Sequence, residues 1–393
     1  MRILFLHNYY QYPGGEDRVV QQEQEMLQAY GHDVRLFSVD NKSIQGLYHH
    51  AKRALTVTYS RGSRLRVEEE IRCFRPDVVH VHNFFPLLTP SVYYACRRRI
   101  PVVQTLHNFR LICPNGMLLR QGKPCEQCVG RATAWPGVIH ACYRNSYIGT
   151  AAVAAMLATH KLLGTWKADV AAYIAPLEFT RKKLIAGGLP PDRLFVKPNF
   201  LSSAPAGTRS VEDFALFVGR LSPEKGVATL ISAWRAGAQN RKLKIVGQGP
   251  ASSVLQDAAG GNYGIEFLGH RTRDEILNLM QRAKFLLVPS EWYEGFPLVI
   301  VEAFASGLPV IASRLGAMEE VVRDDCTGLL FNPGDSEDLL AKTNWAWDHP
   351  AEMNIMGKNA RAEFEAKYTA DRNYVLLMQI YDRALTGSAK RVS

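Results

Sequence analysis

The chain has 393 residues, of which 47% are hydrophobic and 21% charged, a balance typical of a globular protein. Because single hydrophobic cores rarely grow beyond about 250–300 residues, this length predicts two domains. The formal charge of +10 favours anionic partners such as nucleotide phosphates or an anionic membrane surface. Nucleic acid is disfavoured as a partner, because the sequence lacks helix-turn-helix, zinc-finger-pair and aromatic RNA-binding signatures.

The N-terminal stretch MRILFLHNYY does not predict a secretory signal peptide, because polar His7 and Asn8 follow a short apolar run. The nearest candidate for a spanning segment, Tyr147–Trp166, is rich in alanine and interrupted by His160 and Lys161, which predicts a buried or interfacial helix. The odd number of cysteines, seven, argues against a simple secreted disulfide framework. We therefore expect a cytoplasmic protein whose membrane contact is at most peripheral.

Strand-like and helix-like segments alternate from the first residue onward, the pattern of parallel βαβ units. Strands are predicted at Arg2–Leu6, Asp33–Phe37, Asp77–Val81, Pro101–Leu106 and Val170–Ala175. Helices are predicted between several of them, as at Val19–Ala29 and Leu65–Cys73.

Much of the positive charge lies in this first half of the chain. The residues concerned are Lys52, Arg53, Arg61, Arg64, Arg66, Arg97, Arg98 and Arg99. Two interpretations stay open: the side chains cover solvated helix faces, or they form a basic face that rests on phospholipid.

The stretch KPNFLSSAPAGTRS, at residues 197–210, interrupts the alternation with Pro, Ser and Gly, and the alternation then restarts. Strands are predicted at Phe214–Val218, Leu243–Val246, Ile265–Leu268, Phe285–Val288, Pro309–Ala312 and Gly328–Phe331. Helices are predicted at Val227–Arg235, Asp274–Arg282, Leu298–Ala305 and Asp335–Trp345, and a last periodic segment covers Asp371–Leu385. The sequence therefore predicts two doubly wound α/β halves joined near residue 205, with ligands at the carboxyl ends of the strands.

The stretch FVGRLSPEKG, Phe217–Gly226, predicts a strand that ends in Gly219 and a short loop that leads to a helix. Arg220 and Lys225 flank this loop. Unpaired N–H groups and a partial positive charge make a helix N-terminus attractive to phosphate, so two cations beside it would neutralise a diphosphate. The alternative is an ordinary turn with two solvated cations.

The stretch SEWYEGFPLVIVEAF carries two carboxylates, Glu294 and Glu302, eight residues apart. Glu294 is expected on the loop after a strand and Glu302 about a turn and a half into the next helix, with Gly295 and Pro297 between them. Carboxylates accept hydrogen bonds from hydroxyl pairs, as on a sugar or a ribose. A capping glutamate with a paired helix glutamate, or the acid and base of a glycosidase, are the alternatives.

GRLSPEKG followed by EGFPLVIVE, with its E-x7-E pattern, resembles the retaining glycosyltransferases of family 4, whose fold is GT-B. The resemblance covers nearly the whole chain, with several motifs in the expected order. It implies an α/β fold of two doubly wound Rossmann-like domains facing across a cleft. The implied parts are an acceptor-side domain at 1–204, a nucleotide-sugar-binding domain at 205–370, and a C-terminal helix at 371–393 that packs back across the junction.

The resemblance implies transfer of a sugar from a nucleotide-diphosphate sugar to an acceptor hydroxyl, with retained anomeric configuration and no catalytic cofactor or metal. The catalytic residues that it implies are His107, Arg220, Lys225 and Glu294. The cations would hold the diphosphate and stabilise charge on the leaving group, and Glu294 would bind hydroxyls of the transferred sugar.

The donor-binding residues that the resemblance implies are Gly14, Gly15, Gly219, Gly247, Gly249, His270, Gly295, Phe296, Pro297, Leu298 and Glu302. Glu302 would bind the ribose. The N–H groups of Gly295, Phe296 and Leu298 would support sugar and phosphate, while Pro297 has no N–H to give.

The N-terminal half also fits the family pattern. Gly14–Gly15 resembles the glycine-rich loop after the first strand, although the next two residues, Glu16 and Asp17, could instead cap the following helix. His107, in TLHNFR, resembles the family's active-site histidine at a strand end.

Three further polar residues have a less specific interpretation. His80 and His82, in HVHNFFP, either line the acceptor cleft or pack in the interior, and the pattern slightly favours packing. Asn199, in KPNF, matches a family position near the cleft.

The cysteines at 113, 125, 128 and 142 go beyond the general family pattern. Cys113, Cys125, Cys128 and Cys142 have the spacing C-x11-C-x2-C-x13-C, which resembles a four-thiolate zinc knuckle. The hypothesis is a structural zinc clamp without a catalytic role, in an insertion near 108–146 of the acceptor-side domain. The alternative is a loop whose cysteines are reduced or prone to form disulfides.

Three other functions are alternatives. A nucleotide-sugar epimerase and a non-catalytic GT-B protein that binds a nucleotide-sugar would share the fold. A nicotinamide enzyme is disfavoured because no G-x-G-x-x-G follows the first strand, and Ser252 stands where the third glycine after Gly247 and Gly249 belongs. For the transferase, the expected acceptor is a glycan or lipid-linked glycan of bacterial-type cell-surface polysaccharide synthesis, at the inner face of the membrane.

Overall fold

The computed structural model describes residues 1–10, 14–41, 56–97, 99–205, 209–237, 241–261 and 264–392. Of the basic residues singled out above, Lys52, Arg53 and Arg98 lie outside the described residues. The chain divides into two compact units. Unit 1 consists of Met1–Leu118, Cys125–Asn199 and Asp371–Ser393, and unit 2 of Leu119–Pro124 and Phe200–Ala370.

Unit 1 contains a parallel sheet with the strand order β2-β1-β3-β4-β7-β8. The strands are β1 (Arg2–Tyr9), β2 (Asp33–Asp40), β3 (Val78–Val81), β4 (Val102–Thr105), β7 (Ala172–Ala175) and β8 (Leu194–Val196). The two strands numbered between them, β5 (Leu119–Arg120) and β6 (Lys123–Pro124), pair as a separate antiparallel hairpin. Because β2 and β3 flank β1 on opposite sides, the order reverses at β1, where doubly wound sheets bind their ligands.

The helices of unit 1 include the two predicted at Val19–Ala29 and Leu65–Cys73. They are Gly15–Ala29, Arg61–Phe74, Ser91–Cys96, Trp135–Ile139, Tyr147–Leu162, Thr165–Ala168, Glu178–Ala186 and, at the end of the chain, Ala370–Val392. A short 3-10 helix, Pro191–Arg193, precedes β8.

The helix predicted at Tyr147–Trp166 is shorter than expected. Ser146 caps its N-terminus by accepting the N–H of Gly149 at 3.0 Å. The helix ends at Leu162 because Gly164 adopts a left-handed conformation with φ of +68°. Among the described residues, no helix is both long enough and apolar enough to cross a membrane.

Unit 2 contains a second parallel sheet, with the order β11-β10-β9-β12-β13-β14. The strands are β9 (Phe214–Val218), β10 (Lys242–Val246), β11 (Ile265–Gly269), β12 (Leu286–Val288), β13 (Val310–Ser313) and β14 (Gly328–Phe331). The helices are Val227–Gly237, Ser252–Ala259, Arg273–Arg282, Leu298–Ala305, Ala317–Val321, Ser336–Asp348 and Pro350–Lys367, with a 3-10 helix at Pro223–Lys225. The predicted α/β class is confirmed for both halves.

The C-terminal helix completes unit 1 through buried polar contacts. Lys197, which follows β8, lies with its Nζ 2.5 Å from Glu23 Oε1, and both side chains are fully buried. The same ammonium donates to Asn373 Oδ1 of the C-terminal helix at 3.0 Å. Asn373 in turn donates to the carbonyl of Pro198 at 2.6 Å. These bonds join the first helix, the last helix and the end of β8.

Aromatic contacts extend this attachment along the helix. The rings of Tyr30 and Tyr374 stack with their centroids 3.7 Å apart, and the Tyr30 hydroxyl donates to Asp371 Oδ1 at 2.6 Å. Further along, the Tyr381 hydroxyl lies 2.7 Å from His80 Nδ1 inside the unit.

Replacement of Lys197 by methionine should destabilise unit 1 strongly. The Lys197→Met variant leaves the Glu23 carboxylate buried without its cation, which costs about 3–5 kcal/mol of unfolding free energy. The matched control is Lys183→Met, because Lys183 pairs with Glu126 at 2.6 Å with side-chain exposures of 24% and 38%, and pairs in contact with solvent contribute at most about 1 kcal/mol. Urea unfolding measures the free energy of unfolding of both variants. Equal losses would show that the buried pair contributes no more to stability than the exposed one.

Candidate active site

The turns after β9 and β10 pack against each other backbone to backbone. Gly219 donates its N–H to the carbonyl of Val246 at 3.0 Å. A Cβ on Gly247, whose φ is +139°, would overlap the carbonyl oxygen of Gly219, and a Cβ on Gly249 would overlap that of Leu221. These glycines therefore allow two loops to approach more closely than side chains would permit.

A pocket opens beside these turns within unit 2. It has a volume of about 370 Å³ and is lined by Leu221, Gly247, Gln248, Gly249, Ser252, Gln256, Phe267 and Gly269. Three of the lining residues are glycines, so backbone groups line much of the pocket. His270, predicted to line the nucleotide site, follows Gly269 directly and is exposed.

The structure brings two of the predicted catalytic residues into direct contact. Lys225 Nζ donates to Glu294 Oε1 at 2.6 Å, although 69 residues separate them in the chain. Ser290 donates its hydroxyl to the same oxygen at 2.7 Å. The Lys225 ammonium also lies 5.6 Å from the centre of the Trp292 ring. Arg220, the other predicted cation, is exposed.

Local backbone geometry places Lys225 at this point. Lys225 ends the 3-10 helix, and Gly226 follows with φ of +67°. A Cβ on Gly226 would overlap the carbonyl oxygen of Pro289, so the loop that carries Lys225 packs directly on the end of the loop that carries Glu294.

The mouth of the helix Leu298–Ala305 lies next to Glu294 in the chain. Pro297 is its N-cap residue. Among the described residues, the N–H groups of Gly295 and Phe296 donate to no protein acceptor, whereas the Leu298 N–H donates to the carbonyl of Phe296 at 3.0 Å. Two of the three predicted N–H donors are therefore available to a ligand in this conformation.

Glu302 is the fifth residue of this helix and is 7% exposed. Glu294, on the preceding loop, is 6% exposed. The placement of the two carboxylates, one before the helix and one inside it, matches the expectation from the sequence.

In unit 1, Gly14 and Gly15 stand at the start of the first helix. Asp17 caps this helix, because its Oδ2 accepts the Gly14 N–H at 2.9 Å, and its Oδ1 lies 2.7 Å from His7 Nε2. Glu16 instead accepts from the Asn83 side chain at 3.0 Å. Burial raises the pKa of Glu16 to about 8, with the Asp17 charge adding to the effect.

His80 is a satisfied interior histidine, as the sequence slightly favoured. Its Nδ1 lies 2.7 Å from the Tyr381 hydroxyl and its Nε2 lies 2.8 Å from the Thr105 hydroxyl. Burial lowers its pKa well below the usual value. The ring stacks on His82, with centroids 4.2 Å apart.

His82 contacts His107, the predicted active-site histidine. His82 Nδ1 lies 3.2 Å from His107 Nε2, and the two rings are stacked with centroids 5.5 Å apart. Burial lowers the pKa of His107 to about 3 and that of His82 well below its usual value, so both rings are neutral at neutral pH. Asn199, at the end of unit 1, is buried.

Sequence reasoning did not identify Glu23, Lys197 and Tyr381, which surround these histidines. Each belongs to a segment that looked like ordinary helix or linker.

The four cysteines of the insertion form no disulfide bonds. Burial raises the pKa of Cys128 to about 11, and Cys113, Cys142 and Cys125 are near enough to add to it. Within the described ranges, however, no three of their sulfur atoms lie within 4.8 Å of one another. Four thiols suit zinc chemically, but their spacing here is wider than that of a zinc site.

Two family models match consecutive parts of the chain. The model described as Glycosyltransferase Family 4 matches residues 13–203, and the model described as Glycosyl transferases group 1 matches residues 202–363.

Curated relatives support the same assignment. The chain is 33% identical to one uncharacterised glycosyltransferase of Methanocaldococcus jannaschii over 172 residues, which are 43% of this chain and 48% of the relative. It is 26% identical to a second one over 321 residues, 79% of this chain and 76% of the relative. It is 28% identical to the glycogen synthase of Mycobacterium tuberculosis over 336 residues, 83% and 73% of the two chains.

Solved structures match nearly end to end. The sucrose-phosphate synthase of Thermosynechococcus elongatus has a TM-score of 0.72 at 19% identity, covering 98% of this chain and 99% of the other. Anabaena HepE in complex with UDP and glucose has a TM-score of 0.61 at 18% identity, covering 97% and 98%. At these identities the likeness shows the fold, which is the GT-B fold that the sequence predicted.

The histidine cluster should make unit 1 less stable in mild acid. The folded unit keeps His80 neutral because its pKa is lowered, whereas in the unfolded chain the same ring takes up a proton below pH about 6.5. Stability is therefore fully present above this pH and is lost as the pH falls, at up to about 1.4 kcal/mol per pH unit for each such ring. Glu16 has the opposite effect on stability. Because its pKa in the folded unit is raised to about 8, it stabilises the unit increasingly as the pH falls from about 8 to the pKa of the unfolded chain.

Urea unfolding between pH 7 and 5 measures this slope. The slope should become smaller in His80→Gln and stay unchanged in the control His270→Gln, because His270 is exposed. A slope that does not respond to His80→Gln would contradict the assignment.

Proposed function

Because this chain belongs to the glycosyltransferases of the family 4 and group 1 models, we propose that it moves a sugar from a nucleotide-diphosphate sugar to an acceptor hydroxyl, with retained anomeric configuration. The proposed acceptor is a glycan or lipid-linked glycan of cell-surface polysaccharide synthesis. The observation that carries the proposal is the contact between Lys225 and Glu294 beside the mouth of the helix Leu298–Ala305.

The chemistry of this contact suits a donor with a diphosphate next to a sugar. A diphosphate needs cations and N–H donors, and the Lys225 ammonium and the free N–H groups of Gly295 and Phe296 provide them. A sugar offers hydroxyl donors, which the Glu294 carboxylate can accept. Few other ligands need both sets of groups side by side.

Each residue then has a role in the proposed transfer. Arg220 and Lys225 would stabilise the charge that develops on the diphosphate as it leaves, and Glu294 would orient the transferred sugar. Glu302 would accept from the ribose hydroxyls. The pocket lined by Gly247 and Gly249 would hold the base. No catalytic metal enters this scheme.

The names of relatives are consistent with this class of donor and acceptor. Anabaena HepE is described in complex with UDP and with UDP-glucose. A relative from Salmonella typhimurium, 34% identical over 39% of this chain and 44% of its own length, is a lipopolysaccharide 1,2-N-acetylglucosaminetransferase. The base and the sugar that this chain uses are open, so the first experiment compares several nucleotides.

A thermal-shift panel with UDP, GDP, dTDP, CDP and NAD should identify one nucleoside diphosphate that stabilises the protein. A ligand at roughly 100 times its dissociation constant adds about 2.7 kcal/mol, which is readily measured. Lys225→Ala should lose this shift, and the control Lys242→Ala should keep it, because Lys242 is exposed at the opposite end of β10. A shift by NAD alone would contradict a nucleotide-sugar donor and favour a nicotinamide enzyme, whereas a shift by none of the five would favour a non-catalytic role.

We also propose that unit 1 rests on an anionic membrane surface. The helix Tyr147–Leu162 contains no acidic residue, and it exposes an apolar stripe along its length. Ile148 is 77% exposed and Leu162 89% exposed, with Ala151 and Ala155 exposed between them. Exposed basic residues accompany the stripe at both ends: Arg144, Lys161 and Lys167. Apolar insertion combined with basic charge is the chemistry of peripheral binding to anionic lipid.

Vesicle flotation at low salt tests the membrane proposal. The protein should float with vesicles that contain phosphatidylglycerol and not with phosphatidylcholine alone, and the double variant Ile148→Asp with Leu162→Asp should lose flotation. Val254→Asp is the matched control, because Val254 is 67% exposed but lies in unit 2. Indifference of the wild type to anionic vesicles would refute the proposal.

Structural zinc in the insertion stays a proposal as well. Zinc would draw the four sulfur atoms to ligand spacing and release their protons. Reduced protein purified without any chelator should then contain one equivalent of zinc by elemental analysis. The double variant Cys125→Ser with Cys128→Ser should lose this zinc, whereas the control Cys326→Ser should keep it. Metal-free wild-type protein would end the hypothesis.

A further inference from the structure

A line of groups inside unit 1 runs from the buried residues Lys197, Glu23 and His82 to His107, which is partly exposed. We infer that the Glu23 carboxylate fixes the positions of the protons on His82 and His107, so that His107 presents an unprotonated Nδ1 to a ligand. Glu23 and His82 are in this view positioning residues that act through His107.

The line begins with a carboxylate that is held ionised. Burial raises the pKa of Glu23, but the interactions that lower it, led by the charge of the Lys197 ammonium, together bring the pKa below its usual value. Glu23 Oε1 accepts from Lys197 at 2.5 Å. Glu23 Oε2 makes no hydrogen bond within the described part of the chain and is buried. An ionised carboxylate only accepts hydrogen bonds, so this oxygen presents lone pairs to its neighbour.

The neighbour is His82. Its Nε2 lies 3.7 Å from Glu23 Oε2, and it too is buried without a hydrogen bond among the described residues. A lone pair on Nε2 would face the carboxylate lone pairs in a site that excludes water, which is costly, whereas a proton on Nε2 is attracted to the carboxylate. The ring of His82 is neutral because burial lowers its pKa. It therefore carries one proton, on Nε2, and its Nδ1 is an acceptor.

His107 has to complement that acceptor. His107 Nε2 lies 3.2 Å from His82 Nδ1, so it must donate for a hydrogen bond to form. His107 is also neutral, and its single proton is thereby placed on Nε2. Its Nδ1 keeps a lone pair and has no hydrogen-bond partner among the residues that the structure describes. The ring is partly exposed, so a ligand can reach it.

This arrangement restricts what His107 can recognise. An unprotonated Nδ1 accepts from a hydroxyl and repels a phosphate or carbonyl oxygen. Because the pKa of His107 is lowered to about 3, the ring is a poor base and acts as a hydrogen-bond acceptor. If the proposed function holds, on which this identification of the ligand rests, the group that His107 accepts from is a hydroxyl of a sugar.

A metal ion is a poorer explanation of the same cluster. Glu23, His80 and His82 bring their ligand atoms within 4.8 Å of one another. However, both nitrogens of His80 already bond to the hydroxyls of Tyr381 and Thr105. The Lys197 ammonium on Glu23 would also repel a second cation. The Glu23 carboxylate is therefore already paired with a cation, and the cluster is better suited to fixing which ring nitrogens of the histidines carry protons.

Nitrogen-15 NMR of histidine-labelled wild-type protein at neutral pH tests the inference directly. Long-range proton–nitrogen spectra separate protonated from unprotonated ring nitrogens, and His107→Gln and His82→Phe assign the signals by their loss. We expect protonated Nε2 and unprotonated Nδ1 for both His82 and His107. A proton on Nδ1 of either ring would overturn the inference.

Glu23→Gln should reverse the pattern. The glutamine carbonyl has to stay on the Lys197 ammonium, so its amide N–H group turns to His82 Nε2 and moves the His82 proton to Nδ1. His107 should then carry its proton on Nδ1. The matched control Glu25→Gln, on the same helix but exposed, should show the wild-type pattern. An unchanged pattern in folded Glu23→Gln would show that Glu23 does not set it.

If Glu23→Gln does not fold, His82→Phe provides a second test of the inference. Without His82 to accept its proton, His107 should show a mixture of the two tautomers; a single Nε2–H form would contradict the inference. The NMR result and the thermal-shift result are independent. If the tautomers are as expected but no nucleotide binds, only the proposed function is contradicted. If a nucleotide binds but the tautomers are the opposite ones, only this inference is contradicted.

Discussion

The buried ion pair between Lys197 and Glu23 is the constraint on which most of unit 1 depends. Two charges without exposure to water are costly unless each finds its partners, and here the 2.5 Å contact is supported by Asn373 of the last helix. The pair therefore ties together three segments that are far apart in the sequence. It also determines the electrostatics around the histidines, since the Lys197 charge contributes to the lowered pKa of His80, His82 and His107.

Unit 2 is organised by a different constraint, the close approach of backbone to backbone. Gly226, Gly247 and Gly249 allow loops to touch where a Cβ would overlap a carbonyl oxygen. The result is a set of turns at the carboxyl ends of the strands that expose N–H groups and carry few side chains. Two of the charged groups there, Lys225 and Glu294, are held by each other, and Ser290 also donates to Glu294. Such a site favours ligands recognised through phosphate and hydroxyl groups.

Much of the fold was predictable because it repeats local patterns. The strands of unit 2 lie within a residue of their predicted ends, since each is a short apolar run bounded by turn residues. β8 was missed because Leu194–Val196 has only three residues and its last one is exposed. The helix predicted through Trp166 ends early because one glycine adopts a left-handed conformation, which periodicity does not reveal.

The candidate site was predictable only as far as motifs extend along the chain. The stretch from Gly295 to Glu302 is contiguous, so its geometry followed from the sequence. The contact between Lys225 and Glu294 depends on tertiary structure, and so does the distinction between His80, which is hydrogen-bonded in the interior, and His107, which is partly exposed. Tyr381, whose hydroxyl lies on His80 Nδ1, comes from a segment in which the sequence showed no motif.

The place of the last helix has a consequence for synthesis on the ribosome. Most of unit 2, Phe200–Ala370, is encoded ahead of the last segment of unit 1, so it emerges before the helix that unit 1 needs. Until Asn373 and Tyr381 leave the exit tunnel, the Lys197–Glu23 pair and His80 lack partners for burial. The half of the protein that is translated first is therefore the half that is completed last, after the C-terminal segment has returned to it.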